Sequence, residues 1–236
     1  CMSGDHNLCS TATGTIVKHH GGFADKVRAQ AISAVPLPDG IDAAKAGPLF
    51  CGGATVFNPL MQFAIKPTDK VGVIGIGGLG HMALQFCNAW GCEVTAFTSS
   101  DNKCDEALAM GAHHTINSRN SDQINKAAGR FDLILSTVNV KLDWSLYIRT
   151  LAKKGRLHFL GVALEPFDLS VTQLMANQNS ISSSLVSSPA IISEMLRFAA
   201  RHNINPKTEH FKFEDINKAI AHLENGDARY RVVLSR

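Results

Sequence analysis

The chain has 236 residues, 45% hydrophobic and 18% charged, with a formal net charge of +3, a length and balance that give a globular core as one large domain or two small ones. Its Lys and Arg residues are scattered, which excludes a basic stripe for nucleic acid or an anionic membrane, and no apolar stretch reaches the length of a membrane span. Without a charged-then-apolar leader, the six cysteines read as thiols or metal ligands of a reducing compartment, so the expected location is the cytoplasm.

In chain order, residues 1–45 are turn-rich and polar, with a strand-like run from Val27 to Val35 and a loop at Pro36-Leu37-Pro38-Asp39-Gly40. Lys70 to Ile76 reads as a strand, Leu79 to Trp90 as a helix and Glu93 to Phe97 as a second strand, one βαβ unit closed by Gly91. The alternation continues with a helix from Lys103 to Met110, capped by Asp101, a strand from His114 to Ile116 and a helix from Ser121 to Ala128. Asp132 to Ser136, Arg156 to Phe159 and Ile181 to Val186 supply three further strands, with helical sequence from Trp144 to Leu151. Six strands joined by crossovers predict an α/β, doubly wound parallel Rossmann sheet. Ile191 to Arg201 and Phe213 to Leu223 then read as helices and Tyr230 to Leu234 as a closing strand.

Gly75-Ile76-Gly77-Gly78-Leu79-Gly80 lies between an apolar strand and an apolar helix start. Glycines at this spacing let the strand turn sharply, let the backbone approach a pyrophosphate, and let the helix pack closely on the strand. Amides at the helix start then face the phosphates. The second strand runs out into Thr98-Ser99-Ser100-Asp101-Asn102-Lys103, where an NAD site would place a carboxylate on the ribose. Three hydroxyls and the Lys103 cation suit a 2′-phosphate instead, so the expected cofactor is NADP(H). The plainer alternative is that Ser100 or Asp101 caps the next helix and Lys103 is solvated.

Gly47-Pro48-Leu49-Phe50-Cys51-Gly52-Gly53-Ala54-Thr55, the glycine turn and Ala228-Arg229-Tyr230-Arg231-Val232-Val233-Leu234 together resemble the zinc-dependent medium-chain dehydrogenases, specifically the cinnamyl alcohol dehydrogenase-like aldehyde reductases. The resemblance covers the whole chain. It implies a GroES-like catalytic domain split around an inserted nucleotide-binding domain, and hence three segments: 1–45, 46–185 and 186–236. The first would be the end of a longer N-terminal catalytic part that this chain lacks. It also implies that Cys51 is one of three protein ligands of a catalytic zinc, and that Cys1 and Cys9 are two of four ligands of a structural zinc. The remaining ligands and the proton-relay groups would lie upstream, so the chain alone is expected to hold no catalytic zinc and to reduce no aldehyde.

The resemblance further places Thr137-Val138-Asn139, Gly161-Val162 and Ser183-Ser184 around the nicotinamide. Ser183 and Ser187 stand where the family usually has glycine, and their side chains are expected to crowd the nicotinamide or a dimer contact. A homodimer through the edge strand Ile181 to Val186 is expected, as is a small aldehyde or alcohol substrate. Cys87, Cys92 and Cys104 read as ordinary thiols, and His19-His20 and His113-His114 as surface or loop residues. The activity implied is hydride transfer between NADP(H) and a primary alcohol or aldehyde, mainly aldehyde reduction. Two other readings stay open at this point, a zinc-free quinone reductase and a non-catalytic NADP(H)-binding protein.

Overall fold

The computed structural model describes residues 2–162, 165–166 and 168–236; Cys1 and the side chain of Asp101, with its expected cap, lie outside the described part. Six strands form one parallel sheet in the order β3-β2-β1-β4-β5-β6. They are β1 (Lys70–Ile74), β2 (Glu93–Thr98), β3 (His114–Asn117), β4 (Phe131–Ser136), β5 (Leu151–Phe159) and β6 (Ser180–Ser183). The chain reverses its direction of progress across the sheet between β1 and β4, so the ligand crevice falls beyond the C-terminal ends of these strands.

The central strands are buried on both faces, which is why β1 and β4 read as nearly unbroken apolar runs rather than alternating ones. One face of the sheet is covered by α2 (Ala54–Gln62), α3 (Gly80–Trp90) and α8 (Pro189–Arg201), whose Phe57, Phe86 and Leu196 share a core with Val71, Val73 and Leu133. Phe198 of α8 lies 5.5 Å from the rings of both Phe57 and Trp90, so this late helix is part of the sheet's own core. The opposite face packs Ile74, Phe97 and Ile134 against Ile124, Trp144 and Tyr147. Those three come from α5 (Ser121–Lys126) and α6 (Trp144–Arg149), whose N-termini are capped by the side chains of Asn120 and Asp143.

Helix α1 (Ala43–Pro48) continues through a π-turn, Leu49–Gly53, into α2. The short helices α4 (Cys104–Ala109) and α7 (Val171–Met175) complete the crossovers. After α8, β7 (Thr208–Lys212) and β8 (Arg231–Ser235) form a parallel pair around α9 (Ile216–Glu224).

Two strand expectations are corrected. Residues 27–35 hold no strand but a short 3-10 turn, Ala31–Ser33, with Val27 and Ile32 exposed. An extended run needs a ladder partner, and no described strand pairs with it. The sixth strand, expected to run to Val186, ends at Ser183, where its register with Phe159 ends too. Beyond it Leu185 is exposed while Ser187 is buried.

Two histidines are fully buried. The carbonyl of Gly77 lies 3.0 Å from Nδ1 of His81, and the amide of Lys207 donates to its Nε2 at 3.2 Å. One ring nitrogen donates and the other accepts, so this arrangement needs the neutral ring. Burial pushes the pKa of His81 down to about 4, with Arg231 and Lys207 adding to the effect against the opposing Gly77 bond. His158 sits between Ser182 Oγ at 2.9 Å and Ser184 Oγ at 3.0 Å, and burial, helped by Arg156, lowers it to about 4 as well. Between pH 6.5 and 4 the unfolded chain therefore takes up protons that the fold refuses, and stability falls as pH falls through that window. We expect the unfolding constant to rise about tenfold or more per histidine by pH 4, measured by urea denaturation. The variant His158→Asn should show a shallower pH slope than the parent; an unchanged slope would contradict this assignment.

Candidate functional site

The crevice at the strand ends has a volume of about 450 Å³ and is lined by Ile74 to Leu79, Phe97 to Ser99, Lys103, Ser118, Arg119, Thr137 to Val140 and Leu142. Its floor is the β1–α3 turn, and the three motif glycines serve three different needs. Gly75 has φ +85°, the left-handed conformation that turns the chain off the strand. A Cβ on Gly80 would stand 1.9 Å from the Gly75 carbonyl oxygen, so only glycine lets the helix start so close to the strand end. A Cβ on Gly77 would meet nothing within 4 Å. Its need for glycine is not internal packing, and open space above a phosphate-binding turn is what a close backbone approach to ligand requires. Thr137 braces the turn, its hydroxyl donating to the carbonyls of Ile74 at 3.0 Å and Gly75 at 2.8 Å.

At the end of β2, Ser99 and Lys103 face the crevice. Thr98 lines it too, but its hydroxyl is turned to its own loop, 3.3 Å from both the amide and the carbonyl of Ser100. Ser100 gives its backbone amide and carbonyl to that loop and is not among the described lining residues. The Lys103 ammonium donates to the Ile76 carbonyl at 3.4 Å and lies 5.9 Å above the Tyr230 ring, so it is drawn toward the glycine turn. Among the described residues no carboxylate lines the crevice.

The residues expected around the nicotinamide divide between two spaces. Thr137, Val138 and Asn139 line the crevice, whereas Gly161, Val162, Ser183 and Ser184 line a neighbouring cavity of about 1000 Å³, together with Ser187, Asn58 and Leu8. The hydroxyl of Ser184 is held by His158, while the buried Ser187 Oγ has no partner among the described residues.

The return segment supplies residues that sequence reading did not assign. Arg231 of β8 donates from Nε to the Gly78 carbonyl at 3.0 Å, and its Nη2 lies 2.5 Å from where a Cβ on Gly52 would stand. The guanidinium thus fills the gap between the glycine turn and the Cys51 turn. Tyr230 stacks on His81 with ring centres 4.9 Å apart and donates its hydroxyl to Glu106 of α4. The closing motif containing both residues is visible in the sequence, but nothing in its spacing says that it reaches a turn 153 residues away.

The cysteines are placed less favourably for metal. Cys51 is exposed on the π-turn and lines neither space. Cys9 is half-buried, and its contact with the Thr11 hydroxyl at 3.3 Å holds its thiol below the ordinary value. Among the described residues no three His, Cys, Asp or Glu side chains gather in a way that holds a metal ion, so these residues alone do not fit a zinc site. Cys87 and Cys92 are buried, and burial pushes both thiols up, Cys92 to about 12, as inert core thiols require.

A parallel sheet in this order, a glycine turn at its switch point and a rim carrying Ser99 and the Lys103 cation define a nicotinamide dinucleotide-binding dehydrogenase fold. Residues 78–201 match the zinc-binding dehydrogenase family model, and the chain belongs to that family. It is 62% identical over 235 residues to the aldehyde reductase AdhA of Synechocystis sp., covering all of this chain and 70% of that protein. Among solved structures it is similar to the cinnamyl alcohol dehydrogenase SbCAD4 of Sorghum bicolor, with TM-score 0.81 and 34% identity over 85% of this chain. It is also similar to CAD from Helicobacter pylori complexed with NADP(H), with TM-score 0.74, 30% identity and the same coverage. The chain spans 57% of each of these two structures.

The glycine roles are separable by mutation. Gly80→Ala should destabilise the fold by more than about 3 kcal/mol, because backbone rather than a flexible side chain must move. Gly77→Ala should change stability by less than about 1 kcal/mol yet weaken dinucleotide binding about tenfold or more. Thermal unfolding and ligand titration on the two variants check the pair, and equal loss of stability in both would contradict the division.

Proposed function

We propose that this chain is the cofactor-binding part of an NADP(H)-dependent alcohol dehydrogenase that works mainly as an aldehyde reductase. The observation that carries the reading is the crevice rim, where Ser99 and Lys103 stand at the end of β2 and no carboxylate lines the space among the described residues. A carboxylate there would accept from ribose hydroxyls and repel a 2′-phosphate; a hydroxyl and an ammonium do the reverse. The 62% identity to an aldehyde reductase and the likeness to an NADP(H) complex support the choice of cofactor and substrate class.

When bound, NADPH supplies the hydride that reduces a carbonyl carbon. The chain's own part is positioning. Amides at the start of α3 face the pyrophosphate, Thr137 fixes the turn that presents them, and Arg231 keeps that turn against the Cys51 segment. The larger cavity beside Gly161, Val162, Ser183 and Ser184 is the proposed place of the nicotinamide and substrate end. We further propose Cys51 as one thiolate of a zinc site, and Cys9 as one of a second, each completed by residues of a longer polypeptide. The chain's coverage of 70% of the Synechocystis relative supports that view. In such a site zinc would polarise the carbonyl oxygen. Pairing of two chains along the exposed edge of β6 is proposed as well, since an unpaired edge strand invites it. A zinc-free quinone reductase would share the nucleotide-binding part but have no need of Cys51 in its motif, and the 62% identity to an aldehyde reductase supports the first reading.

Replacing Ser99 with Asp tests the cofactor assignment. NADPH affinity, followed by nicotinamide fluorescence, should fall at least tenfold while NADH affinity holds or rises, because the new carboxylate faces the phosphate. Equal affinity of the parent chain for NADPH and NADH would overturn it.

A further inference from the structure

We infer that Arg119 is a second cation for the 2′-phosphate, lining the same crevice as Lys103, an inference that rests on the NADP(H) reading of that crevice. Strand β3 pairs with β2 in parallel register, with Thr98 opposite Asn117, and the Ser118 amide donates to the Thr98 carbonyl at 3.0 Å. Adjacent strands lie about 4.8 Å apart, so the residues following these two ends, Ser99 and Ser118, are neighbours across the crevice mouth. Arg119 is next in the chain, and it lines the same space as Ser99 and Lys103.

The backbone there is held from both sides. The Asn117 carboxamide oxygen accepts from the Arg119 amide at 2.9 Å, and the Asn117 amide donates to Gln123 Oε1 at 2.9 Å. Asn120, immediately after, caps α5 through the amides of Asp122 and Gln123. The Arg119 side chain itself is exposed, and among the described residues it makes no ion pair. It is therefore a cation fixed at its root and uncommitted at its tip. Lys103 is different, since its ammonium is already drawn to the Ile76 carbonyl.

A phosphate monoester carries between one and two negative charges near neutral pH and has three acceptor oxygens, more than one ammonium and one serine hydroxyl satisfy. A guanidinium contributes a planar pair of donors that matches two phosphate oxygens. Lys103 and Arg119 are the two cations among the described lining residues, the first from the turn after β2 and the second from just past β3. The charge that selects NADP(H) would then be shared between the two strand ends. Sequence reading missed Arg119 because it follows a short edge strand and belongs to no motif.

Calorimetric titration of the chain with adenosine 2′,5′-bisphosphate and with 5′-AMP isolates the 2′-phosphate. The parent chain should prefer the bisphosphate. Arg119→Gln should weaken the bisphosphate about tenfold, as loss of a charge-assisted pair does, while changing 5′-AMP less than about twofold and leaving the thermal midpoint in place. Arg119→Lys should keep part of the preference. If Lys103→Ala abolishes the preference but Arg119→Gln leaves it intact, this inference fails while the cofactor reading stands. Equal weakening of both nucleotides by Arg119→Gln would make the residue a cover for adenine and also overturn it. A parent chain with no preference would defeat the cofactor reading itself.

Discussion

Helix α3 begins where strand β1 ends, and the two backbones are as close there as glycine allows. The 1.9 Å that would separate a Gly80 Cβ from the Gly75 carbonyl oxygen leaves no room for a side chain. That one contact sets the direction of α3, brings its free amides to the top of the sheet and fixes where phosphate charge can be received. The rest of the crevice is arranged around it. Thr137 from just past β4 holds the same carbonyl, and Ser99 and Lys103 line the crevice from the β2 side.

The return segment is bound to that turn by groups that tolerate no added proton and little change of shape. His81 joins the Gly77 carbonyl to the Lys207 amide, and its buried ring stays neutral because protonation would destroy its acceptor. Tyr230 stacks on that ring and reaches Glu106, while Arg231 bonds Gly78 and fills the space left by Gly52. The glycine turn, the Cys51 turn and the closing strand thus share one set of contacts. A change in the closing strand should be felt at the cofactor crevice even though none of its described residues lines that space.

Much of the sheet was legible because buried parallel strands are nearly continuous apolar runs, and glycine at 75, 77 and 80 between such a run and a helix has few other physical uses. The helices expected from Ser121, Trp144 and Ile191 are present, and the structure adds the caps Asn120 and Asp143 and the first-turn Pro189 that start them. The failures also have reasons. Val27 to Val35 has strand composition, but composition does not supply a partner. Strand β7, Thr-Glu-His-Phe-Lys, is mostly polar, because its pair with β8 is only half-buried and gives a weak pattern. The site residues Arg119, Arg231 and His81 carry no spacing signature, since each acts across a distance in sequence that only the fold closes.

The central claim is that NADP(H) lies in the crevice with its 2′-phosphate at the end of β2. A crystal structure of the chain grown with NADPH tests this most directly. The account predicts the pyrophosphate on the amides following Gly77 and the 2′-phosphate within hydrogen-bonding distance of Ser99 and Lys103. Nucleotide bound elsewhere, or bound in the crevice with its 2′-phosphate turned away from both residues toward solvent, would contradict it.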